Sequence, residues 1–182
     1  MRDASTFYAA AGEVLAQARR RPTALAARVE RIESREAIRL VLDSYAYFYD
    51  AGDIDAVARL FAPNGVLNNL LGESNGRAAI AASIGSLVAA LGERRHLVLS
   101  TQIAFETNDR ATAISYLYSV AQTTDGVMYG TTGTYLDRLE RIDGEWLIGR
   151  RDVSAALGHR HEALPEDYDR FASVRGNRGR KP

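Results

Sequence analysis

Asp50 and His96 are the residues of this chain whose types best suit proton transfer. Asp50 falls in the last turn of a mostly apolar helical pattern, flanking the apolar stripe. A carboxylate there opposes the partial negative charge of a helix C-terminus. A residue set against its own stability in this way is a candidate for function; the competing reading is a solvated carboxylate at a helix end. His96 opens a strand pattern directly after Arg94 and Arg95 and shares a mixed face with Ser100 and Gln102. An imidazole can act as general base or acid at physiological pH, and a carboxylate partner would orient it and stabilise its imidazolium. Without such a partner it reads as a structural histidine at a strand start.

Tyr45 and Tyr49 stand one helical turn apart on the helix that carries Asp50. Their hydroxyls could donate to a carbonyl or an oxyanion, although the same spacing makes them members of an aromatic core stripe. Tyr116, Tyr118, Ser119, Tyr129, Thr132, Tyr135 and Arg150 are candidates to line a substrate pocket. The absence of cysteine excludes disulfides, thiolate catalysis and thiolate metal sites. His159 and His161 lie close in sequence, but no third ligand stands at a recognisable spacing from them. They read as solvated histidines of a polar tail, and neither a metal nor an organic cofactor is expected.

With 182 residues, 46% hydrophobic and 25% charged, the chain suits one domain with a real core. Lys+Arg and Asp+Glu are 23 each, so no net field draws in nucleic acid or an anionic membrane. No segment approaches the ~20 apolar residues of a membrane span. In residues 1–21 the charged cluster follows the apolar part, the reverse of a secretory signal. Residence in the cytoplasm is the expectation.

The elements that must position these groups follow from periodicity. Phe7, Ala11, Val14, Leu15 and Ala18 predict a helix over residues 5–20 with Ser5 as N-cap, ended by Arg19–Arg21 and Pro22. Ile38, Val41, Leu42, Tyr45, Phe48 and Tyr49 form one stripe of a second helix over 23–51. Gly52 can close it in the left-handed conformation, and Asp53 can cap a third helix that ends near Phe61. A short strand over 66–71 and an Ala-rich helix over 76–91 follow. The period then changes from 3.6 to 2. In the strand over 96–106, Leu97, Leu99, Thr101, Ile103 and Phe105 read as one face, with His96, Val98, Ser100, Gln102 and Ala104 on the other. Strands over 111–123, 128–141 and 145–153 are separated by Asn108-Asp109, Asp125-Gly126 and Asp143-Gly144, which is hairpin chemistry. Helices first and strands afterwards predict an α+β fold: helices packed on a strongly curved antiparallel sheet, with a pocket between. Gly130 and Gly133 inside a strand suggest a bend, a bulge or a close approach to the backbone.

The run Tyr-Phe-Tyr-Asp-Ala-Gly-Asp-Ile-Asp at residues 47–55 is followed by Leu-Phe-Ala-Pro-Asn-Gly at 60–65. With Arg35–Ile38, the isolated His96, Gly133–Arg138, Asp143–Trp146 and Arg150-Arg151, it resembles the SnoaL-like group of the nuclear transport factor 2-like superfamily. The resemblance covers about residues 29–153. It implies a cone with an apolar cavity, and relatives that include dehydratases, a dehydrochlorinase and polyketide cyclases. Several of these pair an aspartate at the end of the long helix with a histidine at a strand start, positions that match Asp50 and His96. Tyr49 and Tyr45 match tyrosines used by different dehydratases of the group. A second catalytic histidine found in scytalone dehydratase has no counterpart near Gly130–Thr132.

The expectation is therefore a cofactor-independent acid–base enzyme acting on a small, cyclic, mostly apolar substrate. The same cone also hosts non-catalytic binding modules and structural subunits. A looser match, with Asp137, Arg150, Arg151 and Asp152, is to relatives that open epoxides through an Asp-Arg-Asp arrangement. The division expected is a helical extension over 1–22, a cone domain over 23–153 and a polar tail over 154–182. The resemblance also implies a homo-oligomer, dimer or trimer.

Overall fold

The apolar stripe of residues 38–49 becomes the inner side of a long helix, and the rest of the chain wraps a sheet around it. In a computed structural model, which describes residues 4–124 and 127–160, the elements are α1 (Ala4–Ala18), α2 (Leu25–Ala51), α3 (Ile54–Arg59), β1 (Phe61–Asn69), β2 (Gly72–Asn75), α4 (Arg77–Ala89), β3 (Leu91–Phe105), β4 (Arg110–Thr123), β5 (Met128–Ile142) and β6 (Glu145–Arg160). The corner between α2 and α3 forms as its residues dictate. Gly52 takes φ 75°, and the Asp53 carboxylate accepts from the Ala56 amide at 2.9 Å. Ser5 lies inside α1 rather than capping it.

Six strands form one sheet in the order β2-β1-β6-β5-β4-β3. β3 to β6 make the expected antiparallel meander, and Asp143 and Gly144 both take positive φ in the turn between β5 and β6. The Asp125-Gly126 turn, His161 and the remainder of the tail lie outside the described residues. β1 pairs parallel to β6, so the sheet is mixed rather than wholly antiparallel. β2 and α4 carry the chain from one end of the sheet to the other, and the meander then returns to meet β1. β6 continues to Arg160, beyond the strand end at 153 read from the sequence.

Two cores hold the two faces. On the inner face, Ile38, Leu42, Tyr45 and Tyr49 of α2 pack with Ile80 and Ile84 of α4 and with Leu117, Tyr135 and Ile148 of the sheet. Each fully buried Ile or Leu there contributes about 1.5–3 kcal/mol. On the outer face, Phe7 and Val14 of α1 pack on Ala104, Ile114 and Leu136. The N-terminal helix thus covers the convex side of the sheet, opposite to α2.

Bulges invert the strand alternation. β3 carries one residue more than β4 between Leu99 and Gln102, where Ser100 adopts φ 54°. Before it, Leu97 and Leu99 point outward and are exposed; after it, Ile103 points inward and is buried. The single unbroken face read for Leu97–Phe105 is therefore corrected: His96 and Val98 share the inner face with Ile103 and Phe105. A second shift, between Ile148 and Arg150 opposite Arg138–Leu139, moves the inner face from Trp146 and Ile148 to Arg151 and Val153. At Gly133, a Cβ would overlap the carbonyl of Ser154, so glycine is required where β5 and β6 approach at a third shift.

A buried ion pair stands in the middle of the inner face. Arg151 donates to both Asp137 oxygens, at 2.7 and 3.0 Å, and neither residue has exposed surface. Its guanidinium lies 4.1 Å from the Tyr45 ring centroid and 4.2 Å from that of Tyr135. Burial pushes the Asp137 carboxyl upward while Arg151 pulls it down. Removing one partner would strand a buried charge. Asp137→Asn or Arg151→Met alone should lower the unfolding free energy by about 3–5 kcal/mol, and the double substitution by less than the sum, in a urea-unfolding double-mutant cycle.

Candidate active site

The last turn of α2 and the first half of β3 bring Asp50 and His96 together. Asp50 Oδ1 lies 2.7 Å from His96 Nδ1, and Oδ2 accepts from the His96 backbone N–H at 2.9 Å. Both side chains are largely buried, with 14% and 12% of their surface exposed. Because the carboxylate can only accept, Nδ1 carries the proton of the neutral ring, and the lone pair resides on Nε2. The Tyr49 ring meets the imidazole edge-on, 4.6 Å between centroids. Burial first, and then neighbouring Tyr45, raises the Tyr49 phenol above its ordinary value of 10.0. At neutral pH it is therefore a hydrogen-bond donor and not a base. The Tyr45 phenol is raised too, chiefly by burial, although Arg151 opposes the shift.

Arg94 anchors this junction, a role that the sequence reading passed over. Its Nε donates to the Tyr49 carbonyl at 2.9 Å, adding a second bond to an oxygen that also accepts from the Gly52 amide at 3.1 Å, and its Nη1 donates to the Gly92 carbonyl at 3.0 Å. A Cβ on Gly52 would press against the Arg94 guanidinium at 3.0 Å, so the left-handed glycine also leaves room for the anchor. Basic residues at a strand start gave no sign of this inward turn; only the approach of a helix C-terminus explains it.

The other candidates separate by face. Ser119 stands directly across from His96 on the inner face, while Tyr135 is buried there against Tyr45, 6.0 Å between centroids. Tyr129 is also on the inner side but at the start of β5, and is exposed. Tyr116, Tyr118 and Thr132 alternate onto the outer face, away from the dyad. Tyr116 lines instead an apolar pocket of about 230 Å³ beneath Phe7 and Leu15 of α1. Arg150 is likewise outward, bound to Asp152 at 2.8 and 2.9 Å and to Glu73 at 3.0 Å. The shift before it in β6 turns Arg151 inward in its place. Asp50 and His96 also border a groove of about 1030 Å³ between α2 and the free edge of β3, where Tyr47, Leu97 and Leu99 are exposed. Among the described residues no cluster of three or more His, Asp or Glu is placed to hold a metal ion, and no helix is long and apolar enough to cross a membrane.

Helices closing one side of a curved, unclosed sheet, with the long helix ending at the first strand of the meander, define the nuclear transport factor 2-like α+β cone. The chain belongs to the SnoaL-like domain family, whose model matches residues 30–152. No curated protein matches its sequence. Among solved structures it is similar to a candidate scytalone dehydratase from Novosphingobium aromaticivorans, with 18% identity, a TM-score of 0.68, and 74% of this chain and 92% of that one covered. It is also similar to a hexachlorocyclohexane dehydrochlorinase, LinA type 2, with 16% identity, a TM-score of 0.70, and coverage of 76% and 98%. A third neighbour is a candidate calcium/calmodulin-dependent protein kinase II association domain from Xanthomonas campestris, with 20% identity, a TM-score of 0.60, and coverage of 65% and 85%. At these identities the likeness establishes the fold.

The raised Tyr49 phenol gives a direct test of the site's electrostatics. In an ultraviolet titration of tyrosinate, Tyr49→Phe should leave the absorbance gained up to pH 11 unchanged, since Tyr49 has not yet ionised there. A loss of one tyrosine's worth of signal would contradict its burial against His96.

Proposed function

We propose that the protein is a cofactor-independent acid–base enzyme, of dehydratase, cyclase or isomerase type, acting on a small cyclic and mostly apolar metabolite such as a polyketide-like intermediate. The observation that carries this reading is the 2.7 Å contact between Asp50 Oδ1 and His96 Nδ1. It leaves His96 Nε2 as a base, oriented by a carboxylate that stabilises the imidazolium once a proton is taken. Nε2 removes a proton from carbon next to a carbonyl or β to a leaving group. The C–H electron pair enters the new double bond, and either an enolate forms or the leaving group departs. Tyr49, kept protonated, donates to the developing negative charge or returns a proton to the leaving oxygen. Tyr45, one turn earlier and nearly sealed beneath Arg151, backs Tyr49 at 6.0 Å between ring centroids. Elimination is consistent with two structural neighbours, the candidate scytalone dehydratase and the hexachlorocyclohexane dehydrochlorinase.

A second reading, a non-catalytic binding or structural subunit, draws support from likeness to the association domain. Exposed Leu97, Leu99 and Tyr116 on the outer face would suit the homo-oligomer such a role needs.

The two readings part on proton transfer. Wild-type protein incubated in heavy water with a panel of cyclic ketones should exchange α-protons, followed by NMR. His96→Gln should slow this by roughly 10²–10⁴-fold with unchanged circular dichroism, and Asp50→Asn should also slow it. Exchange that survives in His96→Gln would remove the dyad from the chemistry.

A further inference from the structure

Register builds the inner face beside His96 in rows. His96 stands across from Ser119, Ser119 from Thr131, and Thr131 from Gly158. Alternation puts this row on the side that carries Leu117 and Tyr135 into the core. The next row inward, Val98, Leu117, Gly133 and Ala155, is wholly apolar. With strands ~4.8 Å apart, Ser119 and Thr131 are neighbours, and Thr131 sits ~10 Å across the sheet from the backbone of His96. A six-membered ring bearing one oxygen fits within that span with a hydrogen-bond length at each end. The row ends at Gly158, where an added Cβ would make ordinary contact with Thr131 Oγ1 at 3.9 Å.

Nearby hydroxyls are engaged. Ser115 bonds Thr101 at 2.9 Å, and Thr132 donates to the Leu157 carbonyl at 3.5 Å. Among the described residues no hydrogen bond uses the hydroxyl of Ser119 or of Thr131, and both side chains are only partly buried. The row is thus an imidazole followed by two hydroxyls over an apolar floor. Such a strip is suited to a ring with an oxygen at one end and an acidic C–H at the other.

We propose that Ser119 and Thr131 are specificity-determining residues that donate hydrogen bonds to an oxygen of the substrate, which makes the substrate an oxygenated ring and not a purely hydrocarbon or halogenated one. The inference rests on the acid–base reading of His96. When Nε2 takes the proton from carbon, the C–H pair becomes the C=C bond and the carbonyl π pair moves onto oxygen. The two hydroxyls meet the charge that develops there. They complement Tyr49, which approaches from the helix side.

The test is calorimetric binding of 2-naphthol and of naphthalene, its counterpart without the hydroxyl. The wild type should prefer 2-naphthol, and the pair Ser119→Ala with Thr131→Val should reduce that preference by about tenfold, as expected for two hydrogen bonds, with naphthalene affinity unchanged. Thr131→Ser, which retains the hydroxyl, should keep the preference. A preference that persists in the double variant, or is absent from the wild type, overturns the proposal. The heavy-water exchange of His96→Gln reports separately on the dyad, so a failed hydroxyl pair and a failed base are told apart.

Discussion

Asp50 holds the end of α2 against the edge of the sheet by gripping His96 twice, once at the backbone and once at the ring. Among the described residues β3 is an edge strand, and its outward N–H groups have no neighbouring strand there. One of these groups, that of His96, is satisfied by a carboxylate from a helix. Arg94 closes the same seam from the other side, donating to the Tyr49 carbonyl one residue before Asp50. A backbone donor at the strand edge and a backbone acceptor at the helix end are thus each bound by a charged side chain from the other element. The mouth of the cone exists because these two elements are pinned at that point.

The interior behind this seam is divided by the Asp137–Arg151 pair. With Tyr45 and Tyr135 stacked over the guanidinium, that part of the cone is solid. Neither charged residue retains exposed surface, and Arg151 remains cationic because desolvation, the largest single effect on it, is outweighed by Asp137, Tyr135 and Tyr45 together. Deep attack by a buried carboxylate is thereby disfavoured, since Asp137 is occupied at both oxygens. Smaller inward side chains, Ser119, Thr131 and Gly158, continue instead across the sheet from His96.

Much of this was legible in the chain. The helical stripe at 38–49, Gly52 with Asp53 and the change of period before His96 located both members of the dyad, because each rests on local geometry. What misled was a constant count by twos along strands longer than ten residues. One extra residue near Ser100 turns Leu97 and Leu99 outward while Ile103 stays inward. A similar shift near Gly149 exchanges Arg150 for Arg151 on the inner face. The curvature that makes a cone is produced by such bulges, so the feature that creates the pocket also scrambles its signature. A positive φ at Ser100 has no compositional mark, and the parallel pairing of β1 with β6 depends on a path through α4 that strand periodicity does not encode.

A purely structural account of the dyad meets a difficulty at Asp50. Satisfying the edge N–H of His96 requires one acceptor, which a neutral Asn would supply. A carboxylate at the last turn of a helix instead costs about 0.3–1 kcal/mol against the dipole. The second oxygen then fixes the tautomer of an imidazole whose Nδ1 could have found water near the surface. A neutral pair could close the seam with the same two contacts, if with weaker hydrogen bonds than a carboxylate makes. What the charge and the ring do add is an imidazole with its lone pair held at Nε2, in the same row of the sheet as Ser119 and Thr131. An association module built on the same cone needs the seam alone, and the departure from that minimum at residues 50 and 96 is what favours proton transfer.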